Sequence, residues 1–203
     1  MLAAHSAGIR SPGNVINVNG TCEITLVCLD KCHPSQDYNV RAHVVPERWL
    51  TLHVMNAGGV AYEWFRRTFC AEMSEADFFD RFMADAIDGW LTKRNDLVYT
   101  PYLLGSRYSL ESRTAKLEGL TIESTRSQIL AALIKGLCEY QKKHLQCVST
   151  FVNLDPVIHT TGGAVNDALI RAKRQWMWPA EYHHIEQSSM QGAALLGLDL
   201  LNS

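Results

Sequence analysis

No apolar run in the 203 residues approaches the roughly 20 that a spanning helix needs, which argues against an integral membrane protein. Charge of either sign is not in surplus. The 19 basic and 21 acidic residues leave a net charge of −2, and no basic surface for nucleic acid is expected. The first residues, Met1-Leu2-Ala3-Ala4-His5-Ser6, lack the basic start and long apolar core of a signal peptide. Low-complexity segments and short-period repeats are missing too. Six cysteines are present, but Cys28 and Cys32 with the adjacent His33 have no second ligand pair at zinc spacing. His183-His184 is no better a ligand pair, because neighbours on an extended segment point to opposite faces. These absences leave a soluble protein, expected in the cytoplasm with reduced cysteines and no metal centre. Its length suits one domain over residues 1–203.

What is present is a repeated piece of grammar. Val157 to Thr161 is β-branched, Gly162-Gly163 follows, and Ala164 to about Trp176 is compatible with helix. The same order recurs earlier: Leu50 to Met55, then Asn56-Ala57-Gly58-Gly59, then Val60 to Met73. A strand that ends in glycines before a helix can bring backbone N–H groups against an anion, since glycine has no Cβ to obstruct it. A third turn lies between the first two strands, Asn14 to Val18 and Cys22 to Leu29, where Asn19-Gly20-Thr21 carries the Asn-Gly hairpin signal. Each turn taken alone is also an ordinary chain reversal or helix start. The three together suggest a nucleotide-phosphate cradle.

The remaining pattern alternates. Val40 to Pro46 is read as extended and Trp49 to Met55 as a strand. Ser74 is placed to cap a second helix through Phe78, Phe82 and Ile87. Leu97 to Thr100 reads as a short strand and residues 101–124 as one long loop or insertion. Thr125-Arg126-Ser127-Gln128 is a capping box for a helix through Tyr140. A last strand is expected near Tyr182 to Ile185, and a last helix from Ser188 or Ser189. Strand–helix alternation after an opening hairpin predicts an α/β protein, a mixed central sheet flanked by helices.

These pieces in this order resemble the C-terminal domain of the FGGY carbohydrate kinases. The resemblance is carried by Pro12-Gly13 with Val18-Asn19-Gly20-Thr21, by Asn56-Ala57-Gly58-Gly59 with Trp64, and by Tyr99-Thr100-Pro101-Tyr102-Leu103-Leu104-Gly105-Ser106-Arg107. It continues through Leu117-Glu118-Gly119-Leu120 and Thr161-Gly162-Gly163-Ala164 to Glu186 and Gly192-Ala193-Ala194-Leu195. It implies the actin-like, ribonuclease H-like ATPase fold. It also implies transfer of the γ-phosphate of ATP, with Mg²⁺, to a hydroxyl of a sugar, ketose or polyol in a cleft between two domains. By position, Gly20 and Thr21 would meet the terminal phosphate, and Gly58 and Gly59 the inner phosphates. Glu63 would lie near the nucleotide, while Gly162, Gly163 and Asn166 would hold the α-phosphate and adenosine. The segment around Arg107 would lie near the cleft.

The family's base is an Asp shortly before the first hairpin, and Leu2 to Gly8 looks like the helix that follows it. No catalytic residue is therefore expected in this chain, and the base is expected upstream of Met1. Sugar binding would need an N-terminal kinase domain, and the chain alone is expected to be inactive. The pattern also departs from the family: Arg107-Tyr108-Ser109 lacks the expected proline, Lys116 replaces a small residue, and Ala172 and Gln175-Trp176 replace a Gln and an Ala-Asp pair. Trp176 and Trp178 are expected to crowd the nucleotide pocket. The alternative is a non-catalytic kinase remnant, an interaction or oligomerisation module that pairs with itself or with a partner half.

Overall fold

The computed structural model describes residues 1–186 and 188–201. Helix α1 (Leu2–Ser6) precedes a hairpin of β1 (Val15–Asn19) and β2 (Glu23–Leu29), then β3 (Asn39–Ala42) and β4 (Trp49–Met55). Helix α2 (Gly59–Phe69) and a π-helical turn (Asp77–Phe82) that runs into α3 (Met83–Trp90) come next. A ribbon of β5 (Val98–Thr100) and β6 (Lys116–Glu118) leads to the long helix α4 (Arg126–Val148). The chain continues through β7 (Val157–Thr161), α5 (Asp167–Trp176), β8 (Glu181–His184) and α6 (Ser188–Leu201).

Among the described residues the main sheet has the order β3-β4-β2-β1-β7-β8. Its first four strands pair antiparallel, and β1-β7-β8 pair parallel, so the sheet is mixed as expected. Strand alternation explains its two faces. Ile16, Leu26, Cys28 and Leu50 point to the face covered by α1, which packs in turn against α6. Val15, Val27, Met55 and Ile158 point to the other face, into a core with Phe65, Phe78, Leu133 and Leu169 of the larger helices. None of the helices is long and apolar enough to cross a membrane among the described residues.

Several boundaries move for identifiable reasons. Helix α2 stops at Phe69 rather than Met73, because Cys70 leaves helical geometry and Arg66 Nη1 bonds the Met73 carbonyl. Ser74 does cap the next helix, accepting from Asp77 N–H at 3.1 Å, but that helix opens with the π turn. Helix α5 begins at Asp167, three residues later than the sequence pattern suggests, because Asn166 is its cap. The segment 101–124 is not all loop. Tyr99 pairs with Leu117 across the β5–β6 ribbon, and Gly119, at φ 87°, closes against the Asp96 carbonyl, where a Cβ would lie 2.7 Å away. Thr125 caps α4 as its motif predicts.

Candidate functional site

The register of the sheet brings the three glycine turns to one place. Parallel pairing of Val18 with Thr161 sets Gly162 beside the hairpin residue Asn19. A Cβ on Gly162 would lie 2.1 Å from the Asn19 carbonyl oxygen, and the backbone there has φ 111°. Only glycine meets both demands. The second turn packs behind the hairpin. A Cβ on Gly58 would lie 2.5 Å from the Glu23 nitrogen, and one on Gly59 2.8 Å from the Gly20 oxygen.

That contact changes what the second turn can do. Gly58 N–H donates to the Thr21 carbonyl at 2.9 Å, Gly59 N–H to the Gly20 carbonyl at 2.8 Å, and Val60 N–H to the Thr21 carbonyl at 3.4 Å. The first donors of α2, which would otherwise face an anion, are spent on the hairpin. The Gly58 and Gly59 amides therefore face the hairpin, while Gly59 itself still lines the adjoining cleft. Helix α2 instead braces the hairpin tip from behind. Among the described residues, Thr21 N–H, Thr21 Oγ1 and Gly163 N–H make no hydrogen bond. Gly163 also has open space where a Cβ would stand.

These free groups face a cleft of about 890 Å³, within the range of small-molecule sites. Its floor is Gly20, Thr21, Gly59 and Gly163. Val60 and Glu63 of α2 form one wall, Glu75 and Ala76 with Phe79 and Asp80 of the π turn that follows them another, and Ala164 to Asn166 close the third side. Of the eight residues singled out from the sequence, six line this cleft. Gly58 and Gly162 stand behind it, and their role is to let three backbones approach.

Two of the six are partly committed elsewhere. Arg66 grips both oxygens of Glu63, Nε to Oε2 and Nη2 to Oε1 at 2.8 Å each, and Arg67 Nε reaches Oε1 at 2.6 Å. The Arg66 contact, helped by Arg67, holds the Glu63 carboxyl down to about 2, so it stays an anion and is a poor proton acceptor. Asn166 Oδ1 accepts from Leu169 N–H at 2.9 Å as the α5 cap, and its Nδ2 lies 3.5 Å from the Phe79 carbonyl. Arg107 lies outside the cleft. Its Nε donates to Asn56 Oδ1 at 2.6 Å, which anchors the loop beside the Gly58 turn. Trp176 and Trp178 do not crowd the cleft either; they pack against the helix-side core.

Beneath the floor lies a set of residues that the sequence pattern did not single out. On the helix side of the sheet, Lys173 Nζ of α5 meets Glu23 Oε1 at 2.5 Å, with both side chains almost fully buried. Asn17 Nδ2 donates to Glu23 Oε1 and to Thr25 Oγ1 at 3.0 Å each. Asn19 Nδ2 donates to Asn17 Oδ1 at 2.9 Å and to Thr160 Oγ1 at 3.0 Å. Buried polar groups are tolerated when satisfied in this way. The network ties β1, β2, β7 and α5 together directly under the hairpin tip. Its only signal in the sequence is polar residues at alternate strand positions, Asn17, Asn19, Glu23 and Thr25, which an isolated reading assigns to solvent. Phe79 and Asp80 were also missed, because the π turn rotates them away from the helical period, as were Glu75 and Ala76 just before it.

Strand order, helix placement and the hairpin-plus-two-turns layout make this the actin-like ATPase fold. The chain belongs to the FGGY family of carbohydrate kinases, whose C-terminal domain matches residues 15–197. It is 26% identical over 178 residues to a xylulose kinase of Bacillus subtilis (strain 168), covering 83% of this chain and 34% of that one. In structure it is similar to a xylulose kinase from Rhodospirillum rubrum, with a TM-score of 0.84 and 19% identity over 97% of this chain and 41% of the other. A Plasmodium falciparum glycerol kinase crystallised with ADP gives 0.81 and 15% over 98% and 41%. The chain thus spans about a third of the length of the curated relatives it matches.

Proposed function

We propose that this chain is the nucleotide-binding part of an ATP-dependent carbohydrate kinase, one that moves the γ-phosphate of ATP to a hydroxyl of a sugar, ketose or polyol. The observation that carries the reading is the convergence of three turns, distant in sequence, on one cleft with free donors on its floor and an apolar wall beside them. Thr21, through its hydroxyl and N–H, and Gly163, through its N–H, suit phosphate oxygens. Phe79, Ala76 and Val60 offer the apolar surface that a purine ring needs. Asn166 keeps Nδ2 available at the edge while Oδ1 caps α5.

Phosphoryl transfer depends on positioning and charge stabilisation more than on covalent help from the protein. The brace between α2 and the hairpin serves positioning, since it fixes Gly20 and Thr21 against movement. Mg²⁺ enters with the nucleotide. Glu63 is held by arginines and does not suit a metal or a proton. The base that activates the acceptor hydroxyl, and most of the sugar site, are assigned to the portion of the kinase that this chain does not span.

Calorimetry with Mg-ATP tests the reading. Saturable binding supports it, and none at millimolar ATP rejects it. Incubation of the chain with ATP and a panel of pentuloses, hexuloses and polyols should give no turnover above background; clear turnover would overturn the division of labour. The second reading, a non-catalytic interaction module, draws on exposed Leu104, Leu110, Leu120 and Ile122 in and after the ribbon. Self-association together with an absence of ATP binding would favour it.

A further inference from the structure

A second cavity, of about 330 Å³, opens on the helix side of the sheet, between β4, α4 and the segment from Tyr102 to Arg113. It shares no lining residue with the cleft. Its inner wall is a stack of rings: His53 lies 4.6 Å from Tyr140, 4.8 Å from His144 and 5.6 Å from Tyr108, centroid to centroid. Its mouth carries Arg113, Lys143 and Asp37.

Most polar groups at the back are fixed by partners, and His53 keeps one ring nitrogen open. Gln141 Oε1 accepts from His53 Nδ1 at 3.0 Å, so the neutral ring holds its proton there. His53 Nε2 is thereby left as an acceptor. Thr51 Oγ1 accepts from Val27 N–H at 3.0 Å and lies 3.5 Å from the Val27 carbonyl and 3.1 Å from His144 Nε2. Among the described residues His144 Nδ1 is buried and has no partner, and an unpaired buried polar atom costs free energy. Burial keeps both imidazoles uncharged near neutral pH. Tyr108 is spent as a polar group, because its hydroxyl donates to the Leu52 carbonyl and accepts from Val54 N–H. Its ring serves only as a wall. Arg113 Nη1 donates to Tyr102 Oη at 3.2 Å and its guanidinium carbon lies 5.4 Å from the Tyr102 ring centroid, and among the described residues Lys143 has no ion-pair partner.

Two cations, one carboxylate, a neutral ring acceptor and flat aromatic walls make up a particular set. The cations suit a phosphoryl group. Asp37 and His53 Nε2 suit hydroxyls that donate. The rings suit the C–H faces of a small carbohydrate. We propose that this cavity is a binding site for a sugar phosphate, separate from the nucleotide cleft. That ligand class is also the product class of the proposed reaction, but the assignment rests on the cavity alone.

Titration of the full chain with ribose 5-phosphate, fructose 6-phosphate, ribose and inorganic phosphate, read by calorimetry, tests it. Either sugar phosphate should bind more tightly than ribose or inorganic phosphate. Arg113→Ala and Lys143→Ala, both at exposed positions, should each weaken that binding about tenfold, the worth of one charge-assisted hydrogen bond. Mg-ATP binding, measured in the same variants, should not change, so failure of this site is distinguishable from failure of the nucleotide reading. No binding of either sugar phosphate at millimolar concentration would overturn the proposal. So would inorganic phosphate that binds as well as the sugar phosphates, or affinity that survives loss of both Arg113 and Lys143.

Discussion

Lys173 Nζ and Glu23 Oε1 lie 2.5 Å apart, with side-chain exposures of 1% and 2%. This ion pair between α5 and the first residue of β2 sits under the hairpin whose tip floors the cleft. Its members are 150 residues apart in sequence. Lys173→Met is expected to leave the Glu23 carboxylate buried without its counter-charge and to cost about 3–5 kcal/mol. The double variant Lys173→Met with Glu23→Gln should recover much of that loss, because both buried charges are gone. Urea unfolding of the three proteins measures this, and a double variant no more stable than Lys173→Met would contradict it.

The two glycines of the third turn should separate stability from binding. Gly162→Ala puts a Cβ 2.1 Å from the Asn19 carbonyl oxygen at a positive φ. Backbone strain alone costs about 1–3 kcal/mol, and the clash adds to it. Gly163→Ala meets nothing within 4 Å, so its melting temperature should match that of the wild type. Its methyl group intrudes on the cleft floor, and Mg-ATP affinity should fall. Thermal melts and calorimetry on both variants read the contrast.

Asn166 carries two duties that substitution can divide. Asn166→Ala loses the α5 cap and about 1 kcal/mol. Asn166→Asp keeps the cap, with an acceptor that suits a helix N-terminus, and should hold stability. It removes the Nδ2 donor and adds negative charge at the edge of the cleft, so Mg-ATP should bind several-fold more weakly, by calorimetry. Unchanged affinity would confine Asn166 to capping.

Acid should weaken the fold before the carboxylates titrate. His53, His144, His43 and His159 all have folded values lowered from 6.5, each chiefly by burial. An imidazole that resists protonation when folded binds protons preferentially when unfolded. Stability is therefore full above 6.5 and declines as pH falls below it, until the folded groups protonate as well. Denaturation midpoints between pH 7.5 and 5 should fall with pH, and His144→Phe should flatten that slope. A midpoint independent of pH over this range would argue against neutral buried histidines.

Much of the local structure was legible without coordinates. Strands 49–55 and 157–161 have the bounds that their β-branched runs imply. The Asn19-Gly20 turn, the Ser74 cap and the Thr125 cap stand where their chemistry puts them, but the box at Thr125 is only half made, since Gln128 Nε2 turns to Asn95 Oδ1 at 3.3 Å. Each depends on residues within a few positions of one another. Strand β5 was legible, but β6 and its pairing were not, because Tyr99 and Leu117 reveal their partnership only across an intervening loop. The π turn was missed because its period differs from the one used to find helices.

The sequence by itself determined most of the strands and helices, the glycine turns and the family likeness, since short-range sterics and hydrogen bonding specify turns, caps and strand alternation. Only the tertiary structure decided how those turns are used. It set the amides of Gly58 and Gly59 on the hairpin carbonyls, left Gly163 and Thr21 open to the cleft, and paired Glu23 with Lys173. The physical reason is that a donor is free or spent, and a charge solvated or sealed, according to what a distant segment brings against it.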